Sequence, residues 1–280
     1  MKSFIFLFLT LTILNTNICY IFLSLGTEEE KDQLDITCIE DTGPDNAGIL
    51  CYPKELSTTK KHGIVIWGPG GGSTPKQYLP IIHRISSHGF VVYALSSSPG
   101  DASKATEGIE WLKQLNEGNL NETNINLNEL KDKLDMNIIG CAGHSMGGLE
   151  SEAAVIKIKE VKTAFLLNSG DLAHEAMGNV PIDKTIGVCY GKYGIEKDNA
   201  ELDYGNKLVK APACKIMMDG MGYDHGSCVI IGMAATVAWM RWHLGGEDFR
   251  KMDFLEEDGK YVNGPVIGDE GNWNGTCKNF

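Results

Sequence analysis

The stretch Asn137-Ile-Ile-Gly-Cys-Ala-Gly-His-Ser-Met-Gly-Gly148 decides how this chain is read. Its first half is an apolar run of the length that a strand buried on both faces needs. Its second half, Gly143-His144-Ser145-Met146-Gly147, fits the pattern G-x-S-x-G between a predicted strand and a predicted helix. Small residues on both sides let the backbone turn sharply. The serine Oγ is thereby exposed at the carboxyl end of the strand, close to a helix N-terminus. A serine so placed is a candidate nucleophile, and a nucleophile needs a base, an acid to hold the base, and donors for an anionic oxygen.

Working outward, the same alternation recurs. Short strands are predicted around Asp35 to Ile39 and Ile49 to Tyr52, followed by the buried run Gly63 to Trp67 and a glycine-rich turn. A helix from Tyr78 to His88 stops at Gly89 before a strand over Phe90 to Leu95, which completes a β-α-β unit. Further helices are predicted near Ala102 to Asn116, from Met146, and near Val229 to His243, with strands over Met136 to Ala142, Val161 to Leu167, Thr185 to Tyr190 and Ala213 to Met218. This order predicts an α/β fold with a mostly parallel central sheet and helices on both faces. Asn116 to Leu134 reads as a polar surface insertion, and no long insertion falls between Leu167 and Thr185, so no lid domain is expected.

After Ser145 the chain holds His174, His225 and His243. His243 lies in a helical run with Trp239 and Trp242, where a packed histidine is expected. His225 lies in Gly220-Met-Gly-Tyr-Asp-His-Gly-Ser, a loop directly after the last predicted strand, and is the preferred base; His174 is the runner-up and could instead lie at the cleft. The acid should come from a loop after a strand. Asp198 ranks first, with Glu196 and Asp171 as alternatives. Trp67-Gly-Pro-Gly-Gly-Gly72 has no Lys-Ser/Thr continuation, which excludes a phosphate-binding loop. It reads instead as an oxyanion turn, with backbone N–H donors at Gly71 and Met146 and Gly70 as the neighbouring alternative; each donor is worth about 3 kcal/mol.

The balance of 25 Lys plus Arg against 37 Asp plus Glu over 280 residues, with no basic run, excludes a nucleic-acid partner. Residues 1–26 read as a cleaved leader, with Lys2 ahead of an apolar run that Asn15, Thr16 and Asn17 interrupt. A secreted protein, extracellular or periplasmic, is expected; anchoring through an uncleaved leader is the minority alternative, and no stable membrane insertion is expected. Residues 27–280 are expected to form a single domain and a monomer. Beyond Cys19, the cysteines at 38, 51, 141, 189, 214, 228 and 277 leave one thiol over. Cys141 is the natural spare, and Cys38 with Cys51 flanks a turn as a hairpin staple.

His62-Gly-Ile-Val-Ile-Trp-Gly-Pro-Gly-Gly-Gly72, Arg84-Ile-Ser-Ser-His-Gly-Phe-Val-Val-Tyr93, Gly143 to Gly148 and the helix from Gly232 to Trp242 resemble, in order, the bacterial cutinases and poly(ethylene terephthalate) hydrolases of the α/β-hydrolase fold. The resemblance runs from about residue 48 to 245, and related branches are dienelactone hydrolase-like and chlorophyllase-like enzymes. It implies a serine carboxylic-ester hydrolase that needs no cofactor or metal, with Ser145 and His225 in its triad. Its substrate would be a small ester or a polyester. The resemblance also places Gly71 and Gly170 where the family carries aromatic residues that hold polyester rings, Tyr193 near the expected acid, and Cys189 and Cys228 near a family disulfide. His144 and Gly170 are expected at the substrate cleft. The alternative is a non-catalytic binding protein of the same fold with a degenerate triad.

Overall fold

The computed structural model describes residues 33–57, 59–120, 127–220, 222–266 and 271–280. The expected leader over residues 1–26 lies outside them. Residues Leu34–Phe280 form one unit. Its nine strands make a single sheet: β1 (Ile36–Thr42), β2 (Gly48–Pro53), β3 (His62–Gly68), β4 (Val91–Ala94), β5 (Leu134–His144), β6 (Val161–Leu167), β7 (Thr185–Gly191), β8 (Ala213–Gly220) and β9 (Gly271–Lys278). The spatial order is β1-β2-β4-β3-β5-β6-β7-β8-β9. All pairings from β4 to β8 are parallel, whereas β1–β2, β2–β4 and β8–β9 are antiparallel.

The period-2 geometry of a strand sends alternate side chains to opposite faces, and both faces here are apolar. Ile64 and Ile66 pack with Leu112 and Leu115 of helix α2 (Ser103–Glu117), Val155 of α3 (Met146–Lys157) and Ala200 of α4 (Lys197–Gly205). Val65 and Trp67 point the other way, into Ile81 and Ile85 of α1 (Leu79–Ser87) and Val237 and Trp239 of α5 (Met233–His243). The arrangement is that of an α/β-hydrolase fold. The connection from β6 to β7 carries one 3₁₀ turn, Ala176–Asn179, in place of a lid.

Helix α3, which follows Ser145, is fastened at both ends. Glu150, 1% exposed, accepts the N–H groups of Gly100, Asp101, Ala102 and Ala105, which satisfies donors at the start of α2. Lys184 donates to the carbonyls of Val155 and Ile158 at the C-terminal end of α3, where a cation also complements the helix dipole.

Several elements were not anticipated, among them short helices over Lys251–Leu255 and Lys260–Asn263. Residues 197–205 carry no predicted element but form α4, and β9 lacks an apolar run. β9 exists because it pairs with β8 over its whole length and is joined to it by Cys214–Cys277. The predicted last helix starts later, at Met233, after a separate turn over Ser227–Ile231. Cys38–Cys51 forms the expected staple between β1 and β2, and Cys141 is buried in β5. The side chain of Cys228 lies outside the described residues, and with it the expected pair Cys189–Cys228. His243 is packed between Trp239 and Trp242, and burial pushes its imidazole down to about 3. No helix among the described residues is long and apolar enough to cross a membrane.

Glu152 of α3 and Asp203 of α4 are buried together, and Asp203 also accepts the N–H of Met177. Burial first, and the neighbouring carboxyl second, raise Glu152 well above the usual carboxylate range; burial also raises Asp203. The folded chain therefore binds a proton that the unfolded chain releases. The associated stability is complete below the ordinary carboxylate value and is lost as pH rises through the raised one. Glu152→Gln, which keeps shape without the charge, should have a higher melting temperature than the parent at pH 8 and no advantage at pH 4. Parallel melting curves from pH 4 to 9 check this.

Candidate active site

The carboxyl ends of β3, β5, β6, β7 and β8 lie along one edge of the sheet, and each contributes to one group of residues. Ser145, at the tip of β5, has φ 56° and ψ −118°, a left-handed conformation that strains a residue bearing a side chain. The strain is held from several sides. Ser145 N–H donates to Leu167 O at 2.9 Å, and Ser145 O accepts the N–H of Gly148 and the Ser169 hydroxyl. Glycine is required at the approach of β3 to α3. A Cβ on Gly147 would lie 1.9 Å from Gly68 O, one on Gly143 would lie 2.3 Å from Gly147 O, and one on Gly148 would lie 2.3 Å from Ser169 Cβ.

The imidazole of His225 faces Glu196, with Nδ1 in contact with Glu196 Oε1. Glu196 is the N-cap residue of α4, and its side chain is 12% exposed. Burial raises its carboxyl above the usual range, against the opposing pull of its own backbone N–H and of His225. Of the three candidate acids, Glu196 is the one in contact with His225. Asp198 lies exposed on the first turn of α4, and Asp171 accepts the N–H groups of Glu175 and Ala176. Glu196 and Asp198 fall in the same short loop-like stretch, and sequence spacing could not show that a helix begins between them. Tyr193 is exposed; its N–H donates to Tyr223 O and ties the Glu196 loop to the His225 loop.

At the β3 end, Gly70 N–H donates to the hydroxyl of Tyr78 at 3.0 Å, so this donor is already committed. Gly71 is exposed, and a Cβ there would sit 3.1 Å from Met146 Cγ. Gly71 and Met146 thus lie beside one another. The two residues expected at the substrate cleft are placed differently. His144 is 7% exposed and has both ring nitrogens engaged, Nδ1 with Tyr78 Oη at 2.9 Å and Nε2 with His225 O at 2.9 Å. Gly170 is buried at φ 152°, where a Cβ would meet Ala200 N at 2.7 Å, so it lies beneath α4 and has no room for a side chain. His174 sits at the far end of α4, where its carbonyl accepts Asn206 Nδ2.

Sequence reading missed Asn168 and Ser169. Both follow the apolar run of β6 directly, and a polar pair that ends a buried strand at the edge carrying Ser145 was the available signal.

One trio of metal-ligand type among the described residues, Cys38, Cys51 and His83, has its two sulfurs joined in a disulfide and so offers no thiolate.

The close approach of Gly147 to Gly68 leaves no space for a methyl group. Gly147→Ala should lower stability by about 3 kcal/mol or prevent folding, since backbone must move. Gly71→Ala meets only the flexible Met146 side chain and should cost less than about 1 kcal/mol. Denaturant titration of the two variants separates them.

No curated protein matches the chain. The model of one family, described as PET hydrolase-like, matches residues 34–262. That span covers the whole sheet except β9. The chain belongs to the PET hydrolase-like family.

Proposed function

We propose that this protein is a secreted serine ester hydrolase in which Ser145 is the nucleophile, His225 the base and Glu196 the acid of the triad. The observation that carries the reading is the contact of His225 Nδ1 with Glu196, on a loop whose main-chain carbonyl is bound by His144, the residue before the strained Ser145. With Nδ1 turned to the carboxylate, Nε2 is the nitrogen left to take the Ser145 proton. The serine oxygen then attacks the ester carbonyl carbon, and the N–H groups of Gly71 and Met146 receive the oxyanion. Collapse of the tetrahedral intermediate expels the alcohol, which takes the proton from His225. Water, deprotonated by the same imidazole, attacks the acyl carbon, and the carboxylic acid leaves Ser145.

The non-catalytic alternative rested on the uncertain acid and the missing aromatic residues, and the contact of Glu196 with His225 supports the catalytic reading against it. Residues 27–280 are proposed as the mature single domain, and the two disulfides suit an oxidising compartment. Gly71 and Gly170 bring no aromatic face to the cleft. Small or aliphatic esters are therefore the preferred substrates over aromatic polyesters.

Initial rates on p-nitrophenyl esters from acetate to palmitate, measured on the oxidised protein, test the reading. Turnover should be strongest on short chains and fall by about 10⁴-fold or more in Ser145→Ala and His225→Ala. Glu196→Ala should lose about 10²- to 10⁴-fold, while Asp198→Ala stays within about threefold of the parent. The opposite ranking of the two acids would overturn the assignment of Glu196, and turnover that persists in Ser145→Ala would overturn the mechanism.

A further inference from the structure

His225 has to reach Ser145 from β8, a strand separated from β5 by β6 and β7. Productive geometry tolerates only about 0.5 Å. The loop that carries the histidine has Gly222 at φ 83° before it and Gly226 after it, and it is braced internally by Asp224, whose Oδ1 accepts the N–H groups of Gly226 and Ser227. Its position against the neighbouring strands is set from outside, by Tyr193 N–H on Tyr223 O, by Asn168 on Asp224 O, and by two donors on the carbonyl of His225. The main-chain carbonyl of His225 accepts two hydrogen bonds, from Asn168 Nδ2 at 2.6 Å and from His144 Nε2 at 2.9 Å.

The orientation of both donors follows from their other partners. Asn168 is fully buried at the end of β6, and φ 42° is a conformation that asparagine tolerates better than most residues. Its Nδ2 donates to the carbonyls of Asp224 and His225, and its Oδ1 accepts Gly191 N–H at 3.0 Å. A flipped amide would set oxygen against two carbonyls and NH₂ against an N–H, so only one orientation is satisfied. This single side chain therefore joins the base loop to the turn that leads into Glu196.

His144 is fixed by the same logic. Nε2 faces a carbonyl and must carry the hydrogen. Nδ1 is then an acceptor and takes the Tyr78 hydroxyl proton, while Tyr78 Oη accepts Gly70 N–H. Donation runs one way, from Gly70 through Tyr78 and His144 to His225. Burial pushes the His144 imidazole down to about 4, in keeping with this neutral tautomer.

We propose that Asn168 and His144 are positioning residues that grip the main-chain carbonyl of His225, and that Tyr78, by fixing the His144 tautomer, couples the oxyanion turn to the base loop. The proposal rests on the reading of Ser145 and His225 as nucleophile and base, and it concerns residues that do not touch the substrate.

Asn168→Asp is the decisive variant. It keeps an acceptor for Gly191 and tolerates the same backbone, but it replaces the donor with an oxygen facing two carbonyls. Two readouts apply to the oxidised protein. The first is kcat and KM on p-nitrophenyl acetate per folded molecule. The second is the downfield proton resonance of His225 Nδ1, assigned by its loss in Glu196→Gln. Asn168→Asp should lower kcat by about 100-fold with KM within about threefold, and should broaden the His225 resonance. His144→Leu should lower kcat by about tenfold. His144→Gln, whose amide nitrogen can reach the same carbonyl, should recover most of that loss, and this pair decides the matter if Asn168→Asp does not fold. A folded Asn168→Asp with parental kcat and a sharp His225 resonance would overturn the proposal. So would equal losses in His144→Leu and His144→Gln. Absence of Ser145-dependent turnover in the parent would instead defeat the esterase reading, and the resonance would still decide whether the grip exists.

Discussion

The site depends on how closely two backbones approach, Gly147 at the start of α3 and Gly68 at the end of β3. Because no Cβ fits between them, the helix can begin directly behind the strand edge. Ser145 is then forced into a left-handed turn, a strain of about 1 to 3 kcal/mol. The strain persists because the surroundings over-determine it. Leu167 O, Ser169 Oγ and the first N–H groups of α3 all bind the Ser145 backbone, and Glu150 and Lys184 anchor the helix at its two ends. Were Gly147 to carry a side chain, α3 would move away from β3, and both the serine and the Met146 N–H would leave the position opposite Gly71.

The parts of the fold that were legible in the sequence are those whose physics is local. A continuous apolar run bounded by glycine can be read as a buried parallel strand, and Val161–Leu167 is found where that reading puts it. The elements that escaped owe their form to partners distant in sequence. β9 contains Gly271, Asn272, Asn274 and Gly275, all poor strand formers, and buries Trp273 alone among its eight residues. The ladder to β8 and the Cys214–Cys277 bond hold it there. Helix α4 buries only Ala200, Asp203 and Tyr204, too few for a periodic pattern to stand out.

The site divides along the same line. Ser145 sits in a motif whose meaning is carried by its own neighbours, and His225 is the histidine in the loop after β8. The choice between Glu196 and Asp198 depends on where α4 starts. At the N-terminus of a helix, an acid in the first turn suits the dipole and stays in water, and this describes Asp198. The residue just before the helix can still turn its side chain inward, and Glu196 does so. Sequence distance of two positions thus separates a solvated carboxylate from one buried against an imidazole. Asn168 and Tyr78 were harder to single out for a different reason: their partners are distant in sequence, Asn168 lying 57 residues from His225 and Tyr78 lying 66 from His144.

A parallel sheet solves a problem that the chemistry poses. The proposed nucleophile, oxyanion donors, base and acid all have to stand within a few ångströms of one another, yet they follow four different strands, β3, β5, β7 and β8. When strands run parallel, all their carboxyl ends meet at one edge, so each strand can end in a short loop that supplies one group. The cost is that every loop must be registered against its neighbours without a hairpin to do it. In this protein the registration is made by buried polar side chains at the strand tips. Asn168 at the tip of β6 binds the loops after β7 and β8, His144 at the tip of β5 binds the loop after β8, and Tyr78 reaches back to the turn after β3. Each of these groups has its hydrogen-bonding capacity filled by main chain or by the next group in the series, and a buried network satisfied in this way has a single arrangement. That uniqueness is what a triad assembled from separate strands requires, and it explains why the residues that fix the geometry are polar although they lie in the most buried layer of the fold.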